Sequence, residues 1–311
     1  MENKLVSVVI PAHNEEDNII VIIKRIEKVF SELHYNYEIL LVDDGCTDNT
    51  LSIIKDLSSR DPRLFYVEFS RNFGHQPALK AGLDLSHGDC VISLDADLQH
   101  PPELFKQMLE KWEEGYEVVY TRRKEDKNLS FKKRKSSQYF YKLLNSLSDI
   151  ELESGTADFR LLDRVAVEAF RNFNEADPFI RGLVKLLGFK QFAIDYVPDK
   201  RFSGASKYSI SKMRRLAIQG VTSLSIKPLH TAVYLGFTFS MISLLYLPYV
   251  FYAFYKGQEV NGWASLIMTI SFFGGLQLVI LGIIGIYVGK MFIQTKNRPN
   301  YIIRSTNLKN I

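Results

Sequence analysis

The chain has 311 residues, 46% of them hydrophobic, with 39 Lys plus Arg against 35 Asp plus Glu for a net charge of +4. That length suffices for one large domain or two modest ones around a substantial core, and so mild a charge gives no reason to expect a nucleic-acid partner. Cys46 and Cys90 supply neither a disulfide framework nor a metal-ligand set, and read as reduced thiols in a cytosolic compartment.

Residues 1 to about 125 alternate between apolar runs and helix-period segments. Strands are predicted at Leu5–Ala12, Glu38–Gly45, Leu64–Ser70, Cys90–Asp97 and Glu117–Arg122, with helices near 15–33, 48–60, 76–86 and 101–114. Asp48 suits the cap of the second helix, and Pro102 the first turn of the last. Such alternation implies an α/β fold with a mostly parallel sheet, whose ligands bind beyond the carboxyl ends of the strands. His13-Asn14-Glu15, Asp43-Asp44 and Asp95-Ala96-Asp97 all fall at those ends. His75, His87 and His100 show no metal-ligand spacing and read as loop or rim residues.

The C-terminal third differs in kind. No Asp, Glu, Lys or Arg occurs from Pro228 to Tyr255, nor from Val260 to Gly289. At about 1.5 Å per residue either stretch can cross a hydrocarbon core of about 30 Å. A transmembrane hairpin is predicted, its tight connection at Lys256-Gly257-Gln258-Glu259. Lys212, Arg214, Arg215 and Lys227 precede it, and Lys290, Lys296, Arg298 and Arg304 follow, which puts both termini on the cytoplasmic side. Gly275, Gly282 and Gly289 recur at heptad spacing, as on a packing face of the second span. Ile210, Met213, Ala217, Val221 and Leu224 recur at helical spacing among basic residues, as in an amphipathic helix at the membrane surface.

The stretch SLDADLQHPPE, residues 93–103, carries the chemistry. In an extended chain Asp95 and Asp97 point the same way and repel unless a cation lies between them. A hard divalent ion, Mg²⁺ or Mn²⁺, takes oxygen ligands and shares them with substrate phosphates. Gln99 adds an amide oxygen. An ordinary acidic turn capping the next helix is the plainer alternative.

The segments VSVVIPAHNEEDNI, EILLVDDGCTDNT, SRNFGHQPALKAGLDLSHGD and SLDADLQHPPE resemble the nucleotide-sugar-binding half of the GT-A, Rossmann-like glycosyltransferases of family 2. With TADFRLLDR, RFSGASKYSISK and the two C-terminal spans, the resemblance narrows to the polyprenyl-phosphate glycosyltransferases, the bactoprenol glucosyltransferases and dolichol-phosphate mannose synthases. It implies a metal-dependent hexosyltransferase that moves a sugar from a nucleotide-sugar, a UDP-sugar by its architecture, to undecaprenyl or another polyprenyl phosphate, with inversion. The product would serve cell-envelope glycosylation. Pro11, His13 and Glu15 then hold the nucleoside, with Val42 and Asp44 beside base and ribose. Asp95, Ala96 and Asp97 form the D-x-D element, and Asp95, Asp97 and Gln99 are the metal ligands. Arg122 touches sugar or diphosphate; Arg201 and Lys207 close over the diphosphate. Asp158 falls on the family's general base, although a lipid phosphate is already ionised at neutral pH and needs little deprotonation. In the basic stretch RRKEDKNLSFKKRK and the aromatic segment SSQYFYKLL directly after it, Lys133 and Ser137 contact the acceptor phosphate. Cys46 stands where the family usually has serine, which puts a serine contact to the nucleotide in question.

The resulting division is a GT-A catalytic domain over 1–205 (nucleotide-sugar half about 1–125, acceptor half about 126–205), a juxtamembrane segment over 206–227, a hairpin over 228–293 with spans about 231–255 and 263–289, and a cytoplasmic tail over 294–311. A multi-pass protein of the cytoplasmic (inner) membrane is expected, and relatives with this hairpin suggest a homo-oligomer, a tetramer. A GDP-mannose donor, or a non-catalytic membrane-tethered nucleotide-sugar sensor, are the alternatives. A processive polysaccharide synthase is disfavoured, because neither Trp112 nor Trp263 sits in a Q-x-x-R-W motif.

Overall fold

A computed structural model describes residues 4–124, 145–146, 153, 155–176, 178–197, 220–223, 225–257 and 262–309. Its chain order is β1 (Leu5–Ala12), α1 (Ile19–Phe30), β2 (Asn36–Asp43), α2 (Thr50–Arg60), β3 (Leu64–Phe69), α3 (His75–Leu85), β4 (Cys90–Ser93), a 3₁₀ turn at Pro102–Leu104, α4 (Phe105–Glu113), β5 (Val118–Arg123), β6 (Thr156–Asp163), α5 (Arg164–Arg171), α6 (Ile180–Leu186), β7 (Gln191–Tyr196), α7 (Lys227–Tyr255), α8 (Trp263–Thr295) and β8 (Ile303–Thr306). One eight-stranded sheet runs β7-β5-β6-β4-β1-β2-β3-β8. Within it β6 and β8 are antiparallel to their neighbours, and the other pairings are parallel. The expected mostly parallel α/β architecture is borne out.

The central strands β1 and β4 are largely apolar because both faces of the sheet are covered. One face of β1, Val6, Val8 and Ile10, packs with Ile19, Ile22 and Ile26 of α1 and with Phe105 and Met108 of α4. Val9, on the other face, joins Ala78 and Leu79 of α3, Ala166 and Phe170 of α5, and Leu183 of α6. Asp48 accepts the Thr50 N–H at 3.0 Å and so opens α2. Pro102 begins the 3₁₀ turn that leads into α4, where its missing N–H costs nothing.

Two elements depart from expectation. The fourth strand ends at Ser93, four residues before Asp97, because the Asp95 N–H donates to His100 Nδ1 rather than to a neighbouring strand. The tail expected over 294–311 supplies β8, which pairs with the β3 edge and is pinned by Ser305 donating to Glu68 at 2.6 Å and by Tyr301 stacked on Phe69.

Helices α7 and α8 touch where Phe239 packs edge-on against Phe272 and Phe273. Among the described residues one helix, Ser265–Thr295, is long and apolar enough to cross a membrane. Large apolar side chains stand exposed along both helices, Leu245 and Met268 among them.

Candidate functional site

Adjacent strand tips form one rim. At the β1 and β2 tips, Pro11 of β1 lies in register with Val42 of β2, whose side chain is fully buried in the core on the α3 side of the sheet. His13 Nδ1 donates to the Asp44 carbonyl at 2.9 Å, which leaves Nε2 to accept from Asn72 Nδ2 at 3.2 Å. Glu15 donates its N–H to Thr50 Oγ1 and accepts from Asn18 Nδ2. The Asp44 carboxylate turns inward and accepts the N–H groups of Phe73 at 2.7 Å and Gly74 at 3.0 Å. Burial raises its pKa, and these backbone donors do not fully offset that.

Gly45 is obligatory here. Its φ is +62°, and a Cβ would stand 2.5 Å from the backbone of Arg71 and Asn72, so the β3–α3 connection crosses directly over it. The neighbouring Cys46 thiol accepts the Asn14 N–H at 3.2 Å and points its own hydrogen at the Ala12 carbonyl at 3.6 Å. It thereby ties the β1 and β2 tips together as a serine hydroxyl would, more weakly.

The second part of the rim is built from β4, β6, α3 and α6. Asp95 and Asp97 are half-buried, and between Asp97 and Gln99 the chain reverses through Leu98 at φ +62°. A bulky residue rarely holds that conformation outside a constrained site. Asp97 Oδ1 accepts the Gln99 N–H at 3.1 Å. His75, the first residue of α3, places Nε2 3.4 Å from Asp95 Oδ1 and 3.5 Å from Asp158 Oδ2, so it bridges the D-A-D turn to β6. Partial desolvation of the ring would lower its pKa; the two carboxylates override that and raise it to about 9.

Asp158 is heavily partnered. Arg181 of α6 grips it with both nitrogens, Nε to Oδ1 at 2.9 Å and Nη2 to Oδ2 at 2.8 Å. Arg160 Nη2 lies 3.5 Å from Oδ1, and Gln76 Nε2 3.5 Å from Oδ2. Gln76 Oε1 in turn accepts the Ile180 N–H at 3.0 Å, fixing the start of α6. Burial would raise the Asp158 carboxyl, but Arg181 and His75 hold it well below the usual range. Buried Arg160 is pushed down to about 10, so it stays charged at neutral pH.

Several of these groups gave no sign in the sequence. Arg181 meets Asp158 only through the fold. His100, expected at a loop or rim, is fully buried and stacked on Phe159. Burial lowers its pKa, and its ring shapes the D-A-D turn by taking the Asp95 N–H. Arg122 is held by Asp195 at 2.6 Å and Glu153 at 3.4 Å, whereas its neighbour Arg123 reaches Tyr196 and lies 3.3 Å from His100 Nε2. Successive residues of a strand face opposite ways; Arg123 thus takes the D-A-D side. Lys133, Ser137, Arg201 and Lys207 lie outside the described residues.

Asp95, Asp97 and Gln99 offer only oxygen, as a hard divalent cation requires. No cluster of three or more His, Cys, Asp or Glu ligands occurs among the described residues. Three such oxygens would leave an ion to complete its shell from water and a ligand's phosphates.

Residues 7–171 match the model of glycosyl transferase family 2. The chain is 42% identical over 301 residues to the uncharacterized glycosyltransferase YkcC of Bacillus subtilis, covering 96% of this chain and 93% of that one. It is 39% identical over 307 residues to the SfII prophage-derived bactoprenol glucosyl transferase of Shigella flexneri, covering 98% and 99%. Among solved structures, mannosyl-3-phosphoglycerate synthase from Rubrobacter xylanophilus superposes with a TM-score of 0.46 at 19% identity, over 70% of this chain and 71% of that one. With a family model running from β1 into the last turn of α5, and relatives aligned nearly end to end, the chain belongs to glycosyl transferase family 2.

Proposed function

We propose that the chain transfers a sugar from a UDP-sugar, UDP-glucose or UDP-GlcNAc, to the phosphate of a membrane-borne polyprenol such as undecaprenyl phosphate. The observation that carries this reading is the bridged carboxylate array, Asp95–His75–Asp158–Arg181, at the sheet rim of a chain that also holds the apolar helix Ser265–Thr295. The near full-length likeness to a bactoprenol glucosyl transferase supports the acceptor class.

Pro11, His13, Glu15, Val42 and Asp44 shape the nucleoside end of the rim. Asp95, Asp97 and Gln99 would hold Mg²⁺ or Mn²⁺, which when bound supplies Lewis-acid stabilisation of the leaving diphosphate. The acceptor phosphate oxygen forms a bond to the anomeric carbon from the face opposite the diphosphate, and the bond to the diphosphate oxygen breaks with its electrons, inverting the centre. Arg201 and Lys207 offset charge growing on that leaving group, while Arg122, paired with Asp195 and Glu153, faces away from the D-A-D turn; Lys133 and Ser137 hold the acceptor phosphate.

Asp158 is better suited to orientation than to proton removal. A carboxylate kept ionised by a bidentate arginine is a weak base, and an ionised phosphate has little need of one. It holds His75 and Arg181 in place around the reacting groups.

The sheet domain would stand on the cytoplasmic face of the inner membrane, with α7 and α8 crossing as a hairpin and both termini cytoplasmic. The full chain in vesicles containing undecaprenyl phosphate, given a panel of nucleotide-sugars, tests all of this through the mass of the lipid product. A polyprenyl phosphate carrying one hexose or one N-acetylhexosamine from a UDP-sugar is expected. A product from GDP-mannose alone would move the donor assignment, and donor binding with no lipid product would sink the reading.

A further inference from the structure

The end of α8 nearest the sheet is stitched along one helical face to the segment that precedes α7 and to the sheet domain. Tyr287, Lys290 and Gln294, spaced three and four apart, share that face. Tyr287 donates to the Ser225 carbonyl and Lys290 to Ser223 Oγ, each at 2.8 Å. Gln294 makes a two-pronged contact: Nε2 donates to the Asn174 carbonyl and Oε1 accepts the Ala176 N–H, both at 2.8 Å. A side-chain amide offers that donor and acceptor together; an ionised carboxylate of the same length offers acceptors alone.

What Gln294 grips leads straight to the rim. The chain from Asn174 runs through Phe179 to the first turn of α6, where Arg181 takes Asp158. A Cβ on Gly220 would stand 3.7 Å from the Phe179 ring, so the segment that receives Tyr287 and Lys290 packs on this same connection. Inside the rim the geometry is fixed separately, by the Arg181–Asp158 fork and by Gln76 holding the Ile180 N–H. The α8 contacts therefore set where the rim stands relative to the apolar helix, and leave its internal distances to other bonds.

From this geometry we infer that Gln294 is a positioning residue that seats the Asp158 corner at the height where a membrane-borne acceptor presents its phosphate. The inference rests on the functional reading above. A misplacement of about 1 Å at a reacting centre costs about a hundredfold in rate, and a lipid phosphate held by the bilayer cannot move to compensate as a dissolved one can.

The test compares full-length protein, Gln294→Ala and Gln294→Glu in vesicles of phosphatidylethanolamine and phosphatidylglycerol. Each is assayed with undecaprenyl phosphate in the bilayer and with a short, water-soluble prenyl phosphate. For both variants kcat/KM on the bilayer acceptor should fall about ten- to a hundredfold, while the soluble acceptor and the donor KM stay within about twofold and so report an intact rim. Equal loss on both acceptors, or no loss on the bilayer acceptor, overturns the inference and leaves the functional reading standing. Failure of the unmodified protein to use either acceptor removes that reading, and this inference with it.

Discussion

Two carboxylates on neighbouring parts of the rim are buried alike and titrate in opposite directions. Asp44, at the β2 tip, is 3% exposed, and Asp158, in β6, is 4% exposed. Burial raises the first, whose partners are two backbone N–H dipoles. The second is driven low by Arg181 and His75, which bring full charges within 3.5 Å. Depth does not set ionisation here; the kind of partner does. The β2 tip is held by main-chain amides, and the β6 side by charged side chains.

Breaking the charged side should have the larger effect. Arg181→Ala leaves Asp158 buried with only His75, Arg160 and Gln76 beside it. Losing one partner of a buried pair costs about 3–5 kcal/mol; since Arg181 is one-third exposed, about 2–3 kcal/mol is expected here. The sign with pH comes from the lowered carboxyl. Its stabilisation is fully present above the ordinary Asp range, about pH 4, and is lost as the pH falls through the folded value. The gap in unfolding temperature between the unmodified protein and Arg181→Ala should therefore be widest near neutrality and narrow in acid. A gap that widens in acid would break the contrast between the two tips.

At the β2 tip, Asp44→Ala should raise the donor KM about tenfold with kcat less affected, because it frees the Phe73 and Gly74 amides that hold the β3–α3 connection. Donor titrations of the variant check this, and a pure kcat effect would place Asp44 with the charged β6 side instead. Cys46→Ser should change both constants by about twofold or less, since a hydroxyl can make the same links to Asn14 and Ala12. A loss beyond tenfold would show that the thiol's size, and not its bonds, fits this site.

The legibility of the chain divides in the same way. Strands β1 to β5 announced themselves as apolar runs between helix-period segments, and the D-A-D turn as two carboxylates after a buried strand. What escaped depends on distance along the chain. Arg181 finds Asp158 across 23 positions, with nothing local to mark it. His100 looked like a loop residue before two prolines because its burial comes from Phe159 and Tyr196, far along the sequence. Strand β8, four residues long with one apolar residue, Ile303, followed by three polar ones, has no alternation to read. It exists because the β3 edge is there to receive it.

The most direct measurement is the rate of lipid-linked sugar formation from UDP-glucose and undecaprenyl phosphate as Mn²⁺ is returned to EDTA-treated protein, run beside Asp97→Ala. The unmodified protein should be silent in EDTA and recover with added Mn²⁺, while Asp97→Ala stays depressed by about a thousandfold at every concentration. Undiminished transfer in EDTA, or an Asp97→Ala protein as active as the original, would contradict the assignment of the D-A-D turn as the cation-holding end of the site.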